Sequence, residues 1–285
     1  MQNLHPNKLL LSGIKSHNYE LIQKAIDAGL EIIAITDHDS TAGIAEAITK
    51  IKSQSSNIKL VPGAEISCQT EHGTSVHILG LLFDLENIQL QNAMANTREN
   101  RIGRMEKILA RLRGAGIKIE MSDVLEQLAD GATLGRPHLA DALVKKGYFS
   151  SRDDVFAQIL HNKSKYYVSH YSPTPVEAVS MIKAAGGVAV IAHPLADRRG
   201  QVIDPFDFKQ LVEAGLDGIE VYHRDNNQAE QEQLIEFARK NQLAVTGSSD
   251  YHGNGKLNKL AEFVTAPEEW LRLEARADAR RVIQK

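Results

Sequence analysis

Several histidines and acids of the chain lie just after apolar segments, and others lie near the predicted strand ends. These residues are His5, His38, Glu65, His77, His193, Asp250 and His252. Imidazole and carboxylate together suit Mn²⁺, Zn²⁺ or Fe²⁺, whereas oxygen ligands alone suit Mg²⁺ or Ca²⁺. Two such ions can clamp a phosphoryl oxygen and activate water, as in many phosphatases and nucleases. The residues therefore predict a mixed metal centre, in which Glu65 is suited to bridge two ions.

Each of these residues also has a structural interpretation. A single histidine at a strand end is commonly a turn residue, and Asp37 and Asp39 suit the N-terminal cap of the helix that follows them. Asp39 is equally suited to a supporting position behind the metal ligands. The metal-binding interpretation is favoured by recurrence, because unrelated histidines would not all fall at the same end of successive strands.

The elements that must position these residues alternate along the chain. Strand-like apolar runs occupy residues 31–36, 58–62, 75–83, 187–192, 216–222 and 242–246. Helical periodicity covers residues 19–28, 175–185 and 206–214, and each of these segments ends at a glycine. The alternation predicts an α/β fold with a parallel sheet. In a β/α barrel the functional groups collect at the carboxyl ends of the strands, so one shared site is expected.

The alternation stops between about residues 91 and 170. Residues 93–114 predict a long amphipathic basic helix, and shorter helices are predicted at about 122–128, 137–147 and 152–161. We therefore predict a barrel domain formed by residues 1–90 and 171–285, with residues 91–170 as a helical insertion packed over the barrel mouth.

The composition is that of a folded globular protein rather than of a membrane or DNA-binding protein. The chain has 285 residues, of which 42% are hydrophobic and 24% charged, as in ordinary folded proteins. The net charge of -3 supplies no global positive field, so no DNA binding is expected and any RNA contact must be local. The single cysteine, Cys68, agrees with a reducing compartment, and no segment resembles a membrane span or a signal peptide. These features predict a cytoplasmic protein, and they identify no protein partner.

Seven ordered motifs carry a resemblance to a known family. They are Leu4-His5, ITDHDS at 35–40, GAEIS at 63–67, VHILG at 76–80, RPHLA at 136–140, IAHP at 191–194 and SSDYH at 248–252. In these motifs the chain resembles the polymerase and histidinol phosphatase (PHP) metallophosphoesterases. RPHLA and YVSH at 167–170 resemble the branch of the 3',5'-nucleotide bisphosphate phosphatases and the 5'-to-3' exoribonuclease RNase AM. The resemblance implies a distorted seven-stranded (β/α)7 barrel.

The resemblance also implies up to three divalent metal ions, with Mn²⁺ expected first and Zn²⁺ or Fe²⁺ as alternatives. One ion would be held by His5, the residue at position 7, Glu65 and Asp250. A second would be held by Glu65, His77 and His193. A third would be held by a first-motif aspartate, His38 and His252. Among these ligands, Glu65, Asp250 and His252 are the residues expected to act directly in catalysis.

The first motif departs from the family pattern. Asn7 stands where the family has a second histidine, and Ser12 stands where it has an aspartate. An amide or a hydroxyl is a weaker ligand than imidazole or carboxylate, so two of the three ions would each lose a ligand. Three explanations stay open: natural degeneration, a substitute ligand from His17 or Asn18, or a local change of reading frame.

Basic residues of the predicted insertion are candidates for binding substrate phosphate, which arginine captures well through paired donors. By the resemblance, Arg101, Arg136 and His138 would lie over the substrate, with Lys165, Tyr167 and His170 as further candidates. Arg98, Lys107 and Arg113 are expected to be surface residues.

The leading hypothesis is a hydrolase that removes a terminal phosphate from a nucleotide 3',5'-bisphosphate and trims the 5' end of short RNA. One alternative is a nucleotide- or RNA-binding relative whose catalysis is impaired by the altered first motif. Another is a phosphomonoesterase for a small substrate, similar to histidinol phosphatase.

Overall fold

The computed structural model describes residues 9–12, 18–53, 57–128, 132–195, 203–251, 258–279 and 281–284. The chain divides into two compact units, one formed by Met1–Met94 with Pro173–Lys285 and the other by Ala95–Ser172. Among the described residues, no helix is long and apolar enough to cross a membrane.

The first unit is built on a curled, mixed sheet of seven strands arranged in sequence order. The strands are β1 (Leu9–Ser12), β2 (Ile32–Ile35), β3 (Lys59–Gln69), β4 (Ser75–Leu81), β5 (Val188–Ala192), β6 (Gly218–Tyr222) and β7 (Ala244–Gly247). Six of them overlap the predicted apolar runs, whereas β1 was not predicted as a strand. The predicted end of β3 at residue 62 is wrong, because the strand continues to Gln69 along its pairing with β4, so that Glu65 lies inside the strand rather than after it. The α/β class is confirmed.

The prediction of a parallel sheet is wrong at β4. This strand pairs antiparallel with both β3 and β5, while the other neighbouring strands pair parallel. The reason is the short connection between β3 and β4, in which Thr70 and Thr74 pair through the main chain and Gly73 has φ of 84°. Such a connection can only make a hairpin, because a parallel pair needs a crossover of a dozen or more residues.

Helices follow most of the strands. The first unit contains α1 (Asn18–Asp27), α2 (Ile44–Ser53), α7 (Pro175–Ala184), α8 (Pro205–Glu213), α9 (Gln228–Lys240) and α10 (Pro267–Glu274). The N-terminus of α7 shows why these boundaries fall where they do. Thr174 Oγ1 accepts a hydrogen bond from Glu177 N at 3.2 Å, and Glu177 Oε2 accepts one from Thr174 N at 2.7 Å. Together they form a capping box ahead of a proline in the first turn.

The core of the first unit holds the strands that carry the candidate ligands. Every residue of β2 and β5 is buried, consistent with strands covered on both faces. Gly63 of β3 is required by close packing, because a Cβ atom there would lie 2.6 Å from the carbonyl oxygen of Gly80 on β4. This approach occurs two residues before Glu65 and fixes the spacing of β3 and β4.

The second unit is helical. The helix α3 (Ile88–Gly114) begins in the first unit, and α4 (Met121–Leu125), α5 (Arg136–Lys145) and α6 (Arg152–Val155) follow, the last continued by a π-helical turn at Phe156–Leu160. Met105, Ile108, Leu109 and Leu112 form the buried stripe of α3 and pack with apolar residues of α4, α5 and α6. Their spacing of three and four residues is that of one helix face.

Candidate functional site

Glu65 is the centre of the candidate metal site. It lies within β3, and the segment after β2 is joined to it by main-chain hydrogen bonds: Asp39 N donates to Glu65 O, and Glu65 N donates to Asp37 O. These bonds place His38 beside Glu65 in an isolated parallel bridge. The sequence TDHDS therefore brings its histidine to the middle of the neighbouring strand.

The hairpin and the next strand supply two further histidines. His77 of β4 lies opposite Ser67 of β3 on one side and opposite Ala192, the last residue of β5, on the other. His193 follows Ala192 directly. The antiparallel pairing that the sequence did not predict is thus what places His77 between Glu65 and His193.

The side chains of these four residues converge. His77 Nδ1 lies 2.6 Å from Glu65 Oε1, His193 Nε2 lies 3.5 Å from the same oxygen, and His38 Nδ1 lies 3.6 Å from Glu65 Oε2. Donor atoms of His38, Glu65 and His77 all lie within 4.8 Å of one another. The structure therefore brings His38, Glu65, His77 and His193 together.

The electrostatics of Glu65 favour a cation. Burial by itself would raise its pKa, but the neighbouring His38, His77 and His193 together hold the pKa of this carboxyl well below its usual value. Glu65 is 3% exposed, so solvent screens its charge only weakly. A buried carboxylate surrounded by imidazole nitrogens is the mixed donor set that suits a divalent transition-metal ion, and the residues present fit such an ion.

A small cavity adjoins this cluster. It is lined by Thr36, Glu65, Leu79, Ala192, His193, Glu220, Ser248 and Asp250. Asp250 has φ of 44°, and its main-chain nitrogen donates to Ser248 Oγ at 3.1 Å. This turn after β7 directs the buried Asp250 to the same cavity as Glu65. Of the predicted metal ligands, Asp250 is therefore also brought to the centre.

Two buried residues of this centre were not predicted as site residues. His223 is fully buried, and its Nε2 lies 3.7 Å from Asp250 Oδ2. Glu220 is buried on β6; burial, with the nearby Asp250 and Glu65, raises its pKa to about 7 although His223 opposes the shift. The available signal was a carboxylate inside the apolar strand GIEVY, because an acid is seldom buried without a specific reason.

Asp39 supports the site rather than joining it. Its Oδ1 accepts a 2.8 Å hydrogen bond from Ser67 N, and its φ of 51° turns the chain after His38. Asp39 is fully buried. This bond fixes the segment after β2 to β3 beside the ligands, in agreement with a supporting position.

Three predicted ligands, His5, Asn7 and His252, lie outside the described residues. The altered position Ser12 is the last residue of β1, paired with Ile35 of β2.

A second group of residues forms a basic cluster within the second unit. We define it as Arg101, Arg104, Arg136, Tyr167 and His170. Arg104 was not among the predicted substrate-binding residues; its guanidinium lies 5.3 Å from the centre of the Tyr167 ring. Its Nε atom, like Nδ1 of His170, is buried and has no hydrogen-bond partner among the described residues.

Burial and then mutual repulsion lower the pKa values of Arg104, Arg136 and His170 in this cluster. Burial, then the charges of Arg136 and Arg101, lower the pKa of Arg104 to about 10. Burial and Arg101 also lower the pKa of Arg136. Burial and all three arginines lower the pKa of His170 to about 4, so this imidazole is neutral at pH 7. Three guanidinium groups held together in this way favour the binding of an anion.

The remaining predicted residues have local partners. Arg136 Nη1 donates to Leu160 O at 2.9 Å and to Asn162 Oδ1 at 3.2 Å, which holds it without neutralising it. His138 is buried, and its Nδ1 accepts from Gly135 N at 3.0 Å at the start of α5. Lys165 is exposed, with Nζ 5.0 Å from the ring centre of Tyr166.

Comparison with known proteins agrees with this geometry. The PHP domain profile matches residues 4–134. The 5'-3' exoribonuclease Rnm of Escherichia coli is 33% identical, with 81% of this chain and 78% of the relative covered. The 3',5'-nucleoside bisphosphate phosphatase of Chromobacterium violaceum is 30% identical, covering 83% and 82%. A phosphoribosyl 1,2-cyclic phosphate 1,2-diphosphodiesterase of Eggerthella lenta is 31% identical, covering 89% and 94%.

Among solved structures, a Bifidobacterium adolescentis protein inferred to be a metal-dependent phosphoesterase superposes with a TM-score of 0.88 at 34% identity, covering 96% of this chain and 98% of that one. The fold, the His/Glu centre and these relatives define the class of protein as a metal-dependent phosphoesterase. Within that class, the chain belongs to the PHP domain family.

Proposed function

We propose that this protein hydrolyses a terminal phosphate of nucleotide 3',5'-bisphosphates and trims the 5' end of short RNA as a 5'-to-3' exoribonuclease. The observation that carries the proposal is the convergence of three histidines on the buried Glu65 carboxylate. Relatives that are named for these two activities match most of the chain. The basic cluster supports a substrate that carries more than one phosphate.

The proposed metal ligands are His5, Asn7, His38, Glu65, His77, His193, Asp250 and His252. We propose that the seven strands of the sheet close into the distorted barrel of the family. Divalent ions, Mn²⁺ first, would polarise the phosphoryl oxygens and activate the attacking water. The buried Glu65 carboxylate holds His77 and His193 in place. Asp250 and His252 are the candidates for moving protons during the reaction.

The proposed substrate-binding residues are the basic cluster together with His138 and Lys165. The guanidinium groups supply directed donors for a phosphate, and the neutral His170 adds a nitrogen that carries no charge. Tyr167 presents a ring on which a base can stack. We propose that this cluster binds a phosphate group that is not cleaved.

A second candidate function rests on the altered first motif. With Asn7 and Ser12 in place of a histidine and an aspartate, the chain would bind nucleotide or RNA with reduced catalysis. The histidinol-phosphatase-like alternative is less favoured, because a small phosphomonoester has no second phosphate for the basic cluster.

The test is phosphate release from adenosine 3',5'-bisphosphate by the Mn²⁺-loaded protein, compared with His193→Ala. A 5'-phosphorylated RNA tetramer, histidinol phosphate and a ribosyl 1,2-cyclic phosphate are run as competing substrates. We expect release that His193→Ala abolishes. No release above that variant, combined with tight binding of adenosine 3',5'-bisphosphate, would establish the binding protein instead.

A further inference from the structure

Glu220 lies in β6 among residues that are otherwise apolar, glycine or the strand-end Tyr222, and it is 1% exposed. Burying a carboxylate is unfavourable unless a specific partner repays the loss of water. The partner here is a main-chain group: Glu220 Oε2 accepts a 2.7 Å hydrogen bond from His193 N. Glu220 is not among the proposed metal ligands, and its hydrogen bond is to the backbone of one of them.

This hydrogen bond lies just beyond the end of the ladder between β5 and β6. The last registered pair between β5 and β6 is Ile191 with Ile219, so the ladder ends before His193. The Glu220 side chain thus provides the acceptor beyond the end of the ladder. On the other side of β6, Asn226 Nδ2 donates to Val221 O at 2.9 Å, which fixes the end of this strand.

His193 needs such support because its backbone is unusual. Its φ is 30°, in the left-handed region that residues with a Cβ atom seldom occupy. A residue held there is strained and persists only where its surroundings determine it. In this conformation the ring points back to the centre, with Nε2 3.5 Å from Glu65 Oε1 and the ring 5.3 Å from that of His77.

We propose that Glu220 is a positioning residue, which holds the main chain of His193 in the left-handed conformation and so presents its imidazole to the metal centre. The inference rests on the proposed function, because it concerns the same centre. It adds to that proposal a residue that acts through another residue's backbone.

Charge offers a competing explanation, since Glu220 shares the cavity with Glu65 and Asp250 and could attract a cation directly. Two conservative substitutions separate the explanations. Glu220→Gln keeps the length and an oxygen acceptor but removes the charge. Glu220→Asp keeps the charge but is shorter by one methylene group, so its carboxylate cannot reach His193 N.

The chain also offers a matched control at the other end of the same two strands. Asp217, just before β6, accepts a 2.9 Å hydrogen bond through Oδ2 from Ala189 N of β5 and also pairs with Lys183. Asp217→Asn therefore perturbs a comparable carboxylate at the opposite end of β5. It should lower the melting temperature and leave metal affinity unchanged.

The experiment is a Mn²⁺ titration of the metal-stripped full chain against a fluorescent chelator. We expect Glu220→Gln to bind like the wild type and Glu220→Asp to bind about 10–100-fold more weakly, the range typical of residues that orient metal ligands. Equal affinity of Glu220→Asp and wild type would overturn the inference. So would a Glu220→Gln variant as weak as Glu220→Asp.

A second measurement needs no metal. The protein has 11 histidines, so ¹⁵N-histidine labelling gives at most 11 backbone amide signals, and His193→Ala identifies the one in question. We expect this signal to be protected from exchange in the wild type and Glu220→Gln but not in Glu220→Asp. If the wild type binds no Mn²⁺, the proposed function fails, and the amide signal alone decides the role of Glu220: equal protection in all three proteins would overturn it.

Discussion

Replacing Arg104 by Gln should separate substrate binding from stability. Arg104 is the member of the basic cluster whose pKa is lowered to about 10, after burial, by Arg136 and Arg101. Its Nε atom is buried without a hydrogen-bond partner among the described residues. In the free protein the Tyr167 ring, 5.3 Å from the guanidinium, partly offsets this repulsion, whereas a bound phosphate would satisfy the charge directly.

The expected loss of binding follows from the bonds that Arg104 would make. A hydrogen bond between a charged donor and its acceptor contributes about 1.5–3 kcal/mol, which corresponds to about a 10- to 150-fold change in affinity. The melting temperature should not fall, because a like charge is removed from beside Arg136. Lys107→Gln on the same helix is the control, since it makes the same change of charge at an exposed position.

The assay is calorimetric titration of the full chain with adenosine 3',5'-bisphosphate, together with thermal unfolding without ligand. We expect Arg104→Gln to bind at least 10-fold more weakly at an unchanged or higher melting temperature, and Lys107→Gln to match the wild type on both measures. Equal losses of affinity in the two variants would refute the assigned role and indicate a general effect of charge. A lower melting temperature for Arg104→Gln would refute the claim that its charge is unfavourable in the free protein.

Three further outcomes are expected. Because the pKa of His170 is lowered to about 4, acidification from pH 6.5 towards 4 protonates this histidine in the unfolded chain before the native one, so the free energy of unfolding falls over this range. In urea unfolding, the loss of stability between pH 7 and pH 5 should be smaller for His170→Asn than for the wild type. Gly63→Ala should destabilise the protein by about 1–3 kcal/mol, because the added Cβ would lie 2.6 Å from Gly80 O. A denaturant unfolding curve identical to that of the wild type would contradict this. Thr174→Ala removes the cap of α7 and should cost about 1 kcal/mol in denaturant unfolding, whereas Thr174→Ser should cost less.

Local patterns were sufficient for much of the fold and for the identity of several site residues. The apolar runs that became β2 to β7 are recognisable because buried strands need continuous apolar sequence, and the glycines after α1, α7 and α8 mark where those helices end. The types of residue at the strand ends, such as His38 and His193, indicated the chemistry of a metal centre without any coordinates. The class of protein could therefore be predicted from the order of its motifs.

Tertiary structure decided the features that depend on residues far apart in sequence. The reversal of β4 follows from a hairpin, and only the register of the paired strands shows that it places His77 beside both Glu65 and Ala192. The role of Glu220 is a contact between a side chain and the backbone 27 residues away, which no periodicity encodes. In the sequence, Arg104 is one of several basic residues on a long amphipathic helix. Its low pKa arises only in the folded protein, where Arg136 and His170 lie near it, because burial and repulsion between charges depend on the tertiary structure.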